Sequence, residues 1–324
     1  MRQLEPFLID EGMRAVLEHD ERFLAERQFD RLSPEERLAV NDELALYWSS
    51  ERPPVALVTS ETIVVAGRPV ELRVFFPKND TGDSYVVWVH GGGWKEGSLD
   101  GYERLMRILA NAACCAVVGI GYSKAPGARF PAQLLELRSA FYAISETLFP
   151  DRGQRSISGY SAGANLILAA LSAYSDDLGH GYFQKACLAC GVYDWDFGTV
   201  SYRQYDDELF GSSKARMLEL LETYAPGALS RRDPLVFPLH TRQDVCDDFY
   251  IVSAEHDLLR DDSNKLVASL RAQGKTVTAQ EVQSVTHIFL QRSMRLPIAC
   301  RTIEEMGLYL RGAQAPADRC RGAL

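Results

Sequence analysis

The chain has 324 residues, 46% of them hydrophobic and 24% charged, with a formal net charge of −9. That content fills a sizeable core, as one large domain or two smaller ones. An acidic chain with no basic stripe speaks against nucleic-acid binding, and no apolar run reaches the roughly 18 residues of a membrane helix.

The first residues, MRQLEPFLIDEGMR, carry acids where a secretory signal would be apolar, so a cytoplasmic protein is expected. The seven cysteines are an odd number, and Cys114 and Cys115 lie in an apolar, strand-like run. Reduced, buried thiols fit that pattern better than a disulfide frame. Cys187 and Cys190 form a C-x-x-C, but no second pair and no histidine cluster accompany it. It reads as core rather than as a zinc or redox site.

In chain order, residues 1–52 read as a helical arm, with Ser33 as N-cap and Pro34 in the first turn. Leu38, Leu44 and Tyr47 would share its apolar face. TIVVAG and VELRVFFP form a strand hairpin, and SYVVWVH is apolar on both faces, as a buried parallel strand is. A helix fits 99–112, a strand 115–121, a helix 131–147, a strand 155–159, a helix 162–174 and a strand 185–190. This alternation implies right-handed crossovers and a mostly parallel sheet in an α/β fold.

Residues 193–245 interrupt the pattern, and an insertion of that length between core strands reads as a lid or cap. DFYIVSAEHD then resumes as strand, 260–273 as helix, TVTAQEV as strand and 293–311 as closing helix. The core is therefore 53–192 with 246–312, and 313–324 is a frayed tail.

Chemistry enters with ISGYSAGANL at 157–166. Ser161 stands where a strand turns sharply into a helix, between Gly159 and Gly163. Such an elbow lifts a serine hydroxyl above the carboxyl ends of the strands, where open α/β sheets bind ligands. An N-cap serine in a tight turn fits the pentapeptide equally well. VVWVHGGGW at 86–94 shifts the balance, because a buried strand runs into His90 and three consecutive glycines. Gly91 and Gly92 would offer unobstructed N–H groups to a developing oxyanion, and Ala162 a third; His90 would shape the loop.

A serine nucleophile needs a base and a group that orients it. Of the six histidines, only His287 follows the last strand, on the carboxyl edge of the sheet. Glu255, Asp257, Asp261 and Asp262 follow or end the preceding strand. Asp257 is the first beyond it, while Asp261 and Asp262 suit the first turn of the next helix. The order Ser161, Asp257, His287 is the order this fold uses.

Six pieces together resemble the hormone-sensitive-lipase family, the bacterial esterase branch of the α/β-hydrolases. They are HGGGW at 90–94, GYSKAPGARFPA at 121–132, GYSAGAN at 159–165, RRDPLVFPL at 231–239, SAEHDLLRDD at 253–262 and THIF at 286–289. The resemblance spans about residues 70–312 and implies an α/β-hydrolase fold. It implies a mostly parallel eight-stranded sheet flanked by helices, with a helical cap built from the N-terminal arm and the insertion. By matching positions it makes Ser161 the nucleophile, His287 the base and Asp257 its orienter, with Gly91, Gly92 and Ala162 as oxyanion donors. The closing helix is a candidate homodimer surface by the same analogy.

The chain departs from the family at Tyr160, where an acid is usual, and at Ile288, where a glycine is usual. Ser123 and Lys124 replace the arginine and leucine of the family's Y-R-L-A-P stretch. Trp94, Tyr160, Tyr193 and Ile288 are the candidate substrate contacts, and Trp195, Phe197, Tyr202, Tyr205 and Phe210 either line the cap's pocket or pack the cap. The expected activity is hydrolysis of a small or medium acyl or aryl ester, with no metal and no organic cofactor. An amide hydrolase, arylformamidase- or deacetylase-like, is the alternative, followed by a non-catalytic ligand-binding protein. The partner expected is a small molecule, with no nucleic acid and no membrane insertion.

Overall fold

In the computed structural model the described residues are 9–312, so the 313–324 tail lies outside them. Helix α1 (Glu11–Glu26) starts at Asp10, whose carboxylate accepts the Met13 N–H at 3.1 Å. Helix α2 (Pro34–Trp48) starts at Ser33 in a capping box. The Ser33 hydroxyl accepts the Glu36 N–H, and the Glu36 carboxylate accepts the Ser33 N–H. Leu44 and Trp48, one turn apart, are its buried residues. Tyr47 is not on that face: it is 38% exposed and stacks on His19. The Trp48 indole N–H reaches Asp20 Oδ1 at 2.8 Å, and this bond turns the Trp48 side of the helix inward.

Strands β1 (Leu57–Val65) and β2 (Arg68–Phe76) form the expected antiparallel hairpin. Its two-residue turn, Ala66–Gly67, has φ of 47° and 80°. Such left-handed pairs match the twist of the flanking strands. Then follow β3 (Ser84–Val89), α3 (Glu103–Ala113), β4 (Ala116–Gly121), α4 (Ala132–Ala143), β5 (Gln154–Tyr160), α5 (Ala162–Ala173), α6 (Ser175–Leu178) and β6 (Lys185–Ala189). The insertion carries α7 (Val200–Gln204), α8 (Lys214–Tyr224) and α9 (Ala228–Arg231). The chain resumes with β7 (Asp248–His256), α10 (Arg260–Ala272), β8 (Thr276–Thr286) and α11 (Pro297–Leu310).

The strands form one eight-stranded sheet in the order β1-β2-β4-β3-β5-β6-β7-β8, in which β2 alone runs against its neighbours. The last strand runs four residues past its expected end, because pairing with β7 continues across a register shift between Ala254 and His256. The closing helix starts later than expected, at Pro297. The residue before a proline is held extended, and Leu296 has φ −118° and ψ 96°.

Helices α4, α5 and α10 cover one face of the sheet, and α1, α3 and α11 pack against the other. Every residue of α5 from Ala162 to Leu171 is buried. Its outer side lies under the insertion: the Asn165 side-chain amide donates to the carbonyls of Val192 and Val236, each at 2.8 Å. Cys114, Cys115, Cys187, Cys190 and Cys246 are buried free thiols and Cys300 is half-buried. Among the described residues, no helix is long and apolar enough to cross a membrane.

Candidate active site

The turn from β5 into α5 is tight because two glycines let it be. A Cβ on Gly163 would sit 2.1 Å from the Val89 carbonyl oxygen, and one on Gly159 would sit 2.6 Å from Ile167 Cδ1. Without those atoms the helix start approaches the end of β3 closely. Between the glycines Ser161 has φ 53° and ψ −120°. A non-glycine residue held there costs on the order of 1–3 kcal/mol, which the surrounding packing must offset. The Ser161 hydroxyl makes no capping bond to α5. Its Oγ lies 3.0 Å from His287 Nε2 instead.

His287 follows β8, and its Nδ1 lies 2.7 Å from Asp257 Oδ2. A carboxylate only accepts, so Nδ1 carries the hydrogen and Nε2 presents its lone pair to the serine. Asp257 follows β7 and is fully buried; its other oxygen accepts the Leu259 N–H at 2.9 Å. Three residues from three strand ends thus form one hydrogen-bonded line. It is nearly sheltered from water, with Ser161 7% and His287 8% exposed. The other nearby acids have different partners. Asp261 accepts the Ser201 N–H, Asp262 accepts the N–H groups of Tyr193 and Asp194, and Glu255 accepts the Ser284 N–H.

The glycine loop runs beside the serine. A Cβ on Gly91 would lie 3.1 Å from Ser161 Cβ and 2.9 Å from the Tyr160 carbonyl oxygen. Gly92 has φ 118°, and a Cβ there would sit 2.2 Å from the Glu96 carbonyl oxygen. His90 backs the loop: its Nδ1 donates to the Gly91 carbonyl at 2.8 Å, and its ring stacks on Tyr122. Burial lowers this imidazole to about 4, so it is neutral near pH 7.

The three amides expected to meet an oxyanion are not equivalent. Ala162 opens α5, where a first-turn N–H has no partner within the helix. Among the described residues the Gly92 N–H has no protein acceptor, and neither has that of Gly93. The Tyr102 phenolic oxygen, which receives the Gln291 amide, crowds Gly91, where a Cβ would meet it at 2.9 Å.

The candidate substrate contacts also divide. Trp94 is fully buried; its indole donates to Asn165 Oδ1 at 3.2 Å and its ring stacks on Tyr224. Tyr193 is fully buried, with its ring folded back on Gly191. Both residues pack at the junction of core and insertion. Tyr160 lies behind the histidine: its hydroxyl donates to the His287 carbonyl and its ring stacks on the imidazole. Ile288 is half-buried, with Gly211 of the insertion against it. The backbone of that segment holds the histidine from above, as the His287 N–H donates to the Phe210 carbonyl at 3.1 Å.

Cys187 and Cys190 part company. Cys187 lies inside β6, in the core. Cys190, one residue past the strand, is buried beside Asp257 and His287.

Solved structures of similar shape include an ester hydrolase from the metagenome of Lake Arreo, at 22% identity and TM-score 0.85 over 94% of this chain and 98% of that one. A hyperthermophilic esterase of the archaeon Pyrobaculum calidifontis gives the same identity, score and coverage. The thermostable carboxylesterase EstE1, cloned from a metagenomic library, is 23% identical with TM-score 0.79, over 88% of this chain and 99% of that one. A family model described as the alpha/beta hydrolase fold matches residues 86–291, which include Gly91, Ser161, Asp257 and His287. In keeping with the resemblance drawn from its motifs, this chain belongs to the α/β-hydrolase fold family.

Proposed function

We propose that this protein is a serine hydrolase that cleaves carboxylic esters of small or medium acyl or aryl groups through an acyl-enzyme. The observation that carries the reading is the line from Ser161 Oγ through His287 to Asp257, at 3.0 and 2.7 Å. The Asp257 carboxylate, accepting from Nδ1, fixes the Nδ1–H tautomer. His287 Nε2 takes the serine proton as Oγ attacks the ester carbonyl. The developing oxyanion accepts from the N–H groups of Gly92 and Ala162, with Gly93 in the place first given to Gly91. A preorganised donor of this kind contributes about 3–4 kcal/mol to the transition state. His287 then hands its proton to the leaving alcohol, and water repeats the sequence on the acyl-enzyme. The likeness to structures described as esterases supports an ester over an amide.

The preference for modest acyl groups follows from what overhangs the site. Leu220 of α8 lies over Gly93, where a Cβ would meet its Cδ1 at 2.5 Å, and Gly211 lies against His287. The insertion thereby acts as a cap that leaves little room above the serine.

The test is turnover of a panel of chromogenic esters of rising acyl length, beside an anilide and a formylated aromatic amine. Short esters should be cleaved fastest, and Ser161→Ala should lose several orders of magnitude in kcat while remaining folded. Faster cleavage of the anilide would move the reading to amides. Equal turnover by Ser161→Ala would remove the nucleophile.

A further inference from the structure

We propose that Cys190, Asp257 and His287 form a binding site for one thiophilic divalent ion, such as Zn2+ or Cd2+, and that filling it switches the hydrolase off. The Cys190 thiol sulfur, a carboxylate oxygen of Asp257 and a ring nitrogen of His287 all lie within 4.8 Å of one another. In tetrahedral zinc sites, with Zn–S near 2.3 Å and Zn–N and Zn–O near 2.0 Å, neighbouring ligand atoms sit roughly 3.3–3.6 Å apart. The sulfur therefore closes in by about 1 Å, while the Asp257 oxygen and His287 Nδ1, 2.7 Å apart, open by roughly 0.6–0.9 Å to admit the ion. Sulfur, imidazole and carboxylate together favour borderline and soft ions over Ca2+ or Mg2+, which prefer oxygen shells.

The backbone places the sulfur there. Cys190 has φ 48°, and its N–H donates to the Val252 carbonyl at 2.8 Å. This left-handed turn ends β6 beside the end of β7, which leads into Asp257. Cys190 and Asp257 are both fully buried, so the ion reaches them only when side chains move, and binding is slow.

The consequences for catalysis follow from the proton balance. Before binding, Asp257 is an anion, the thiol holds its proton and the imidazole is neutral with hydrogen on Nδ1. The incoming ion takes the lone pair of Nδ1, so the ring hydrogen moves to Nε2. The thiol proton leaves to solvent as the metal–sulfur bond forms. The site passes from a net charge of −1 to zero, a gain in a place that excludes water. Nε2 now carries a hydrogen and has no lone pair with which to take the Ser161 proton. Inhibition is thus a change of tautomer, and a chelator reverses it.

The inference rests on the proposed hydrolase only for the loss of turnover; binding has its own readout. Purified full-length protein is titrated with Cd2+ and followed by the ultraviolet thiolate-to-metal charge-transfer band, beside Cys190→Ser and Cys190→Ala. In parallel, turnover of a short chromogenic ester is measured with Cd2+ or Zn2+, then with excess EDTA, with Mg2+ as control. The wild type should show one more equivalent of thiolate-bound Cd2+ than either variant. Its turnover should fall at least tenfold, slowly, and recover with EDTA. Both variants should need at least tenfold more metal for the same loss, and Mg2+ should do nothing. Equal bands in wild type and a folded variant would overturn the proposal, as would equal metal sensitivity. If the band differs but no protein turns over any ester, the metal site stands and the hydrolase reading falls.

Discussion

At the scale of single residues, the carboxylates after β7 separate by what they touch. Asp257 holds the His287 ring at 2.7 Å, whereas Asp261 accepts the Ser201 N–H and so clamps the insertion. Asp257→Asn should lower kcat by several orders of magnitude, because an amide neither fixes the Nδ1–H tautomer nor stabilises the imidazolium that forms. Asp261→Asn should leave kcat within about twofold while lowering stability by on the order of 1 kcal/mol. Steady-state kinetics with a denaturant titration separates the two, and the reverse pattern would give the orienting role to Asp261. Tyr160→Phe removes one donor to the His287 carbonyl. Loss of that bond, on the order of 1 kcal/mol, should lower kcat several-fold with KM little changed. The three catalytic candidates were legible because each follows a strand signal. Tyr160 and Cys190 were not, because their partners lie on other strands, and composition says nothing about which strand ends converge.

Among the elements, the β5–α5 elbow carries the most constraint. Gly163→Ala would place a methyl 2.1 Å from the Val89 carbonyl. Helix propensity favours alanine, but overpacking against backbone costs typically about 1–3 kcal/mol or more and wins. The variant should melt lower and lose activity together, as read from thermal unfolding and ester turnover. The helical arm is tied to the histidine segment through Asp20, which accepts from the Arg292 guanidinium at 2.8 Å and from Trp48. Asp20 and Arg292 are both buried, so Asp20→Ala leaves a guanidinium unpaired in the core and should cost about 3–5 kcal/mol. The helices and strands of the core were readable from periodicity. Their ends were less so: α11 waits for Pro297, and β8 runs on through its pairing with β7. The contact of arm with histidine loop joins residues far apart in sequence and left no local pattern.

For the molecule as a whole, stability should respond to pH through two buried groups with opposite signs. Burial pushes the Asp262 carboxyl from 3.8 up to about 7, against the N–H groups of Tyr193 and Asp194. The folded protein therefore holds this proton more tightly than the unfolded chain, so stability falls as pH rises from 3.8 to about 7. Burial lowers His90 from 6.5 to about 4, so its contribution is lost as pH falls through that interval. Asp262→Asn removes the first effect. Relative to wild type, the variant should gain stability between pH 5 and pH 8, by roughly 2.5 kcal/mol, as read from denaturant midpoints. A constant difference across that range would mean that Asp262 is not held protonated.

In the proposed reaction Ser161 is the nucleophile and His287 primes it. The most direct measurement is reaction with a serine-directed phosphonate, followed by intact-mass and peptide mapping of wild type, Ser161→Ala and His287→Ala. Wild type should take up one phosphonyl group per chain, on the peptide that carries Ser161. Ser161→Ala should take up none, and His287→Ala should react orders of magnitude more slowly. Equal labelling of all three proteins, or an adduct on another residue, would contradict the account.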